Sequence, residues 1–190
     1  MSVALAGMTC GGTFLAETNL FKNRRRVIMP QRKSTMAKIK AKDLTKEPPR
    51  PPSQRLGGFT ILARTIDKCR AHLAGTIGDY HFDCPLDNVL FGFKGIKGDN
   101  FKAFVATGAT DEEIVRWVHE NGHRKTESEI NKFAGDTIKA EWPPDKHDYR
   151  DEIIRSADPS RLGKLKGIFE VLELDDRVTY EKNKKPAASR

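Results

Sequence analysis

Two stretches of this chain place chemistry-bearing side chains at suggestive spacings. The first is Asp79-Tyr80-His81-Phe82-Asp83-Cys84-Pro85-Leu86-Asp87, which holds a histidine, a cysteine and three carboxylates within nine residues. His81 and Cys84, three apart, could both ligate a divalent metal, with Asp79 or Asp87 completing the set. Pro85 reads as the first position of a helix, so Cys84 stands where unpaired backbone donors and the helix dipole favour a thiolate. A structural role suits the same residues: Asp83 or Cys84 as helix cap, and His81 in an ordinary hydrogen bond. His72, one helix earlier, could join such a site.

The second stretch is His119-Glu120-Asn121-Gly122-His123, an H-E-x-x-H string. In zinc peptidases this spacing sets two imidazoles on one helix face, with the glutamate beside a metal-bound water. That chemistry needs the helix to continue through both histidines. Gly122 is a helix stop, Asn121 stands where such helices carry a bulky apolar residue, and the sequence offers no evident third ligand. A frayed helix end with cationic side chains near the dipole's negative pole explains the string as well. Gly57-Gly58 and Gly75-Thr76-Ile77-Gly78 fit neither a P-loop nor a dinucleotide fingerprint, because no strand precedes them. There is no strand-turn-helix elbow carrying a Ser-His-Asp order, and no complete catalytic set can be assembled.

The elements that must position these residues are helices. Leu56, Phe59, Leu62, Ala63, Ile66, Cys69 and Leu73 recur at three and four from Ser53 onward, with Arg64, Asp67 and Lys68 on the other side. Gly75 ends that helix. Leu86, Val89, Leu90 and Phe93 form a second, closed by Gly95, and Asp99 caps a third that carries Phe101, Phe104 and Val105. Thr110 with Glu113, and Thr126 with Glu129, are capping-box patterns for two more. The second of these runs to Trp142 and is stopped by Pro143-Pro144. A sixth helix spans about Lys146–Ala157, and Asp158-Pro159 opens a last one through Leu162, Leu165, Ile168, Phe169 and Leu172. The expectation is an all-α domain of about seven helices, with both tryptophans in its core.

Glu47-Pro48-Pro49-Arg50-Pro51-Pro52 can be neither helix nor sheet interior, and reads as a stiff polyproline strap on the domain, with a groove-binding ligand as the alternative. The net charge of +8 belongs to the ends. Residues 1–42 carry nine Lys/Arg and one acid, residues 43–178 are net −3, and residues 179–190 are net +3. The expected organisation is a disordered basic leader over 1–42, a helical domain over 43–177 and a flexible tail over 178–190. The leader admits three readings: an organellar transit peptide, a nucleic-acid-binding arm around Arg24-Arg25-Arg26, or a start site misplaced from Met36. No apolar run approaches the roughly 18 residues needed to span a bilayer. Three unevenly spaced cysteines and no secretory signal point to a soluble protein of a reducing, cytoplasmic setting.

Asp43-Leu44-Thr45-Lys46-Glu47-Pro48-Pro49-Arg50, Arg55-Leu56-Gly57-Gly58-Phe59 and Ile66-Asp67-Lys68-Cys69-Arg70-Ala71 resemble a bacterial domain family of unknown function, DUF5069. Leu73-Ala74-Gly75-Thr76, Gly78-Asp79-Tyr80-His81, Cys84-Pro85-Leu86-Asp87 and Ala106-Thr107-Gly108-Ala109-Thr110-Asp111-Glu112-Glu113 continue the resemblance, over roughly residues 43–177. It implies no activity, cofactor or partner. The expected function is a small cytoplasmic binding or interaction module. The alternatives are a metal-binding protein or enzyme centred on His81 and Cys84, and nucleic-acid binding through the leader.

Overall fold

The computed structural model describes residues 41–184, with side chains through Glu181; the expectations for the leader and the last residues lie outside that range. Seven α-helices follow one another: α1 (Leu62–Ala74), α2 (Pro85–Lys94), α3 (Gly98–Val105), α4 (Asp111–Glu120), α5 (Glu127–Lys139), α6 (His147–Ala157) and α7 (Ile168–Lys184). Among the described residues there is no strand, and no helix is long and apolar enough to cross a membrane. The architecture is all-α.

α1 is the central element. Nine of its thirteen residues are buried, including Arg64, Asp67 and Lys68. It packs on α2 and α3, while α6 packs on α7. Around it Phe59, Ile66, Phe91, Phe101, Ile114 and Val118 form the core, and offset ring pairs such as Phe93 on Phe133 (4.3 Å between centroids) tie the helices together. The two capping boxes form as their spacing predicts. Thr110 Oγ1 accepts from Glu113 N (3.2 Å) while Thr110 N donates to Glu113 Oε2 (2.9 Å), and Thr126 and Glu129 repeat the exchange.

Helix limits depart from the sequence pattern in four places, the smallest at α3, where Lys97 is the N-cap and Asp99 lies inside the first turn. α1 begins at Leu62 rather than near Ser53. Leu56 and Phe59 exchange both backbone hydrogen bonds (2.9 and 3.1 Å) across Gly57 and Gly58, whose φ values of +58° and +89° close a tight turn that no right-handed helix can absorb. α5 ends at Lys139, leaving Trp142 outside it in an extended segment, where Trp142 N donates to Lys166 O. Asp158-Pro159 opens only a short 3₁₀ turn (Pro159–Arg161), and α7 starts at Ile168. α7 then runs past Leu172 and across the expected boundary at residue 177 to Lys184, taking in Asp175 and Asp176.

The proline segment is a strap. Pro49 and Pro52 are buried. Arg50 fastens the strap to α1 and α4: its guanidinium donates to Asp67 (2.8 Å) and to Asp111 (2.6 Å). Arg70 donates to the other Asp111 oxygen (2.7 Å). Ser53 Oγ donates to Glu173 Oε1 of α7 (2.5 Å), and the Tyr180 hydroxyl donates to the Leu44 carbonyl.

Candidate functional site

The loop between α1 and α2 bends sharply before it reaches Cys84. Asp83 takes a positive φ of +61° and is held by the Asn88 amide, which donates to its backbone oxygen (2.9 Å) and to its carboxylate (3.1 Å). Cys84 is then the N-cap of α2, Pro85 follows at N1, and Asp87 stands at N3 in a capping-box arrangement with Cys84. Asp87 is fully buried. Its carboxylate accepts from Thr65 Oγ1 (2.8 Å) and from Lys68 Nζ (2.8 Å), both one turn apart on α1.

Lys68 organises the cluster. Its side chain is 3% exposed, and its ammonium donates to Asp87 Oδ2 (2.8 Å), to the His81 carbonyl (3.0 Å) and to Cys84 Sγ (3.1 Å). Three donors meet three acceptors, which is what makes burying an ammonium tolerable. Three of the four sequence candidates, His81, Cys84 and Asp87, therefore converge, and the cation they surround is a lysine ammonium. His81 contributes its backbone oxygen, with its side chain at the exposed surface, and Asp79 is exposed beside it. Among the described residues no group of three or more His, Cys, Asp or Glu side chains is arranged to hold a metal ion. His72 is exposed near Phe82, its ring centroid 6.1 Å from the phenyl ring.

The His119–His123 string splits at the end of α4. The helix stops at Glu120, Asn121 is extended, and Gly122 turns left-handed at φ +69°. His119 Nε2 lies 3.0 Å from the Gly57 carbonyl, and its ring tilts against Phe59. His123 has left the helix: its backbone N–H donates to the Lys94 carbonyl (2.6 Å) and its ring lies over Gly95. Glu120 is exposed. The two imidazoles do not share a helix face. Lys94, 1% exposed, donates instead to the His119 carbonyl at the negative end of α4 (3.4 Å) and to the His123 carbonyl beyond it (2.7 Å). Burial, with Lys125 nearby, holds its ammonium below its ordinary pKa.

The polar side of α1 is the feature that periodicity misreads. Arg64, Asp67 and Lys68 were expected to face away from the core, yet each meets an opposite charge from a different element. Asp67 meets Arg50 of the strap, Lys68 meets Asp87 of α2, and Arg64 meets Asp176 of α7 (2.5 Å). Tyr80 adds its hydroxyl to Asp176 (2.7 Å) and its ring beneath the Arg64 guanidinium. Burial and the Asp176 hydrogen bond push the Tyr80 phenol far above its ordinary range. The partners lie 17 to 112 residues away, so no local spacing announces them.

A groove of about 420 Å³ lies where the strap meets α7. Pro48, Pro49 and Pro51 line it from the strap, and Glu173, Tyr180 and Glu181 from the helix, with Asp176 and Arg177 between. The sequence shows the proline run but not the helix that turns it into a wall.

No curated protein matches the chain. The profile of the domain of unknown function DUF5069 matches residues 46–178, which takes in the strap, the Cys84 loop, all of α1 to α6 and most of α7. The chain belongs to the DUF5069 family.

Proposed function

We propose that the domain is a small helical binding module whose contact surface is the groove between the proline strap and α7. The observation that carries this reading is the groove itself, with about 420 Å³ of space between two fixed walls. The strap is held by Arg50, by its buried prolines and by Ser53 on Glu173. Little ordering would then be left for binding to oppose. Prolines and Tyr180 supply apolar area, while Glu173 and Glu181 supply acceptors against one guanidinium, Arg177. The charge of Asp176 is already matched by Arg64. Such a lining suits an extended segment of a partner protein that presents a lysine or arginine: the aliphatic stem lies on the prolines and the charge reaches the carboxylates. The interior supports the same reading, because Arg64, Asp67 and Lys68 of α1 are each matched by an opposite charge from another element.

The test is fluorescence anisotropy with a labelled lysine- and arginine-containing peptide and its glutamate-substituted counterpart. The basic peptide is expected to bind the full chain in preference to the acidic one. Glu181→Lys should weaken that binding roughly tenfold, about 1.4 kcal/mol. Equal binding of both peptides, or an unchanged affinity in Glu181→Lys, would count against the groove.

A further inference from the structure

Cys84 and Lys68 are in direct side-chain contact. Sγ and Nζ are 3.1 Å apart, the sulfur belongs to a half-buried residue at the protein surface, and the amine is almost wholly buried beneath it. The carboxylate of Asp87 touches the same nitrogen at 2.8 Å.

We propose that this pair is an oxidative modification site, at which a peroxide joins Cys84 to Lys68 through a sulfur–nitrogen bond. In the first step the peroxide oxygen is transferred to Cys84: the O–O bond breaks, the thiol becomes a sulfenic acid, and one water leaves. In the second step the Lys68 ammonium gives a proton to Asp87 and the freed amine attacks the sulfenic sulfur. The S–O bond breaks as S–N forms, and the hydroxyl departs as a second water with one of the two amine protons, the other staying on nitrogen. Sulfur is oxidised by two electrons and the peroxide is reduced by two. Transfer of the proton to Asp87 removes the charge that the loss of its lysine partner would otherwise leave buried. The link would fasten the 81–84 loop covalently to α1, and a thiol reductant would reverse it.

Cys69 is the internal contrast. It is fully buried, and burial pushes its thiol up to about 12, so it should resist the same oxidant.

The experiment treats the intact chain with hydrogen peroxide, alkylates it, digests it with trypsin and weighs the peptides. The proposal expects Lys68 to escape cleavage and Thr65–Arg70 to be joined to Ala71–Lys94. The linked pair should weigh two hydrogens less than its parts and separate on reduction. Cys84→Ser, which keeps a competent helix cap, should abolish the link. Normal cleavage at Lys68 with Cys84 reduced, or oxidised to the sulfinic acid, overturns the proposal. So does a disulfide between Cys69 and Cys84, in which Cys69-Arg70 alone would be attached.

Discussion

At the scale of single residues, the fold depends on charges buried in opposite pairs. Lys68 and Asp87 are 3% and 0% exposed at their side chains, so removing one partner leaves the other charged and dry. Asp87→Ala is expected to lower stability by about 3–5 kcal/mol, whereas Lys68→Met combined with Asp87→Leu should recover much of that loss. Denaturant unfolding of the parent chain and these two variants checks this, and a double variant no better than the single one would contradict it. Asp111 gives a pH test. Burial pushes its carboxyl up, but Arg50 and then Arg70 overcome this and hold it below its ordinary 3.8. A carboxylate depressed in the folded state adds stability that is fully present above its unfolded value and is lost as pH falls through the folded one. Thermal unfolding of Asp111→Asn should therefore fall less steeply below about pH 4 than that of the parent chain. What the sequence conceals at this scale is also plain. His81, Cys84 and Asp87 are visible as a cluster because they are neighbours in the chain. Lys68, which gathers them, looks like one more charge on a helix's outer face, and only the three-dimensional packing reveals its role.

At the scale of elements, caps and stops are the most legible features, because each is a local arrangement of backbone donors and acceptors. The boxes at Thr110 and Thr126 form as written, and Gly75 and Gly95 close their helices in left-handed conformations. Thr110→Ala is expected to cost about 1 kcal/mol. Helix starts read from apolar spacing are less secure: Leu56 and Phe59 keep a helical interval while lying in a turn, since burial asks only that they point inward. The glycines separate two costs. A Cβ at Gly75 would meet nothing within 4 Å, so Gly75→Ala should cost about 1 kcal/mol for its positive φ alone. A Cβ at Gly122 would fall 2.0 Å from the Lys94 carbonyl oxygen, and Gly122→Ala should cost more than about 2 kcal/mol. Similar losses in the two variants would show that the α2–α4 contact is looser than described.

At the scale of the whole molecule, the class of the fold follows from seven apolar periods separated by stops, and the family follows from motifs spread across residues 46–178. The strap was legible as a strap because proline excludes the alternatives. Its role as one wall of a groove was not, because the other wall belongs to a helix more than a hundred residues away whose acidic stretch reads as a terminus. The proposal of that groove as a binding surface rests on its preformed walls and its carboxylate-bearing lining, and its closing test is positional. Backbone amide shifts of the full chain, followed by NMR while the basic peptide is added, should move together at Arg50 and Ser53, the strap positions that carry an N–H, and over residues 173–181. Shifts gathered elsewhere, or none at saturating peptide, would contradict the assignment of that groove as the binding surface.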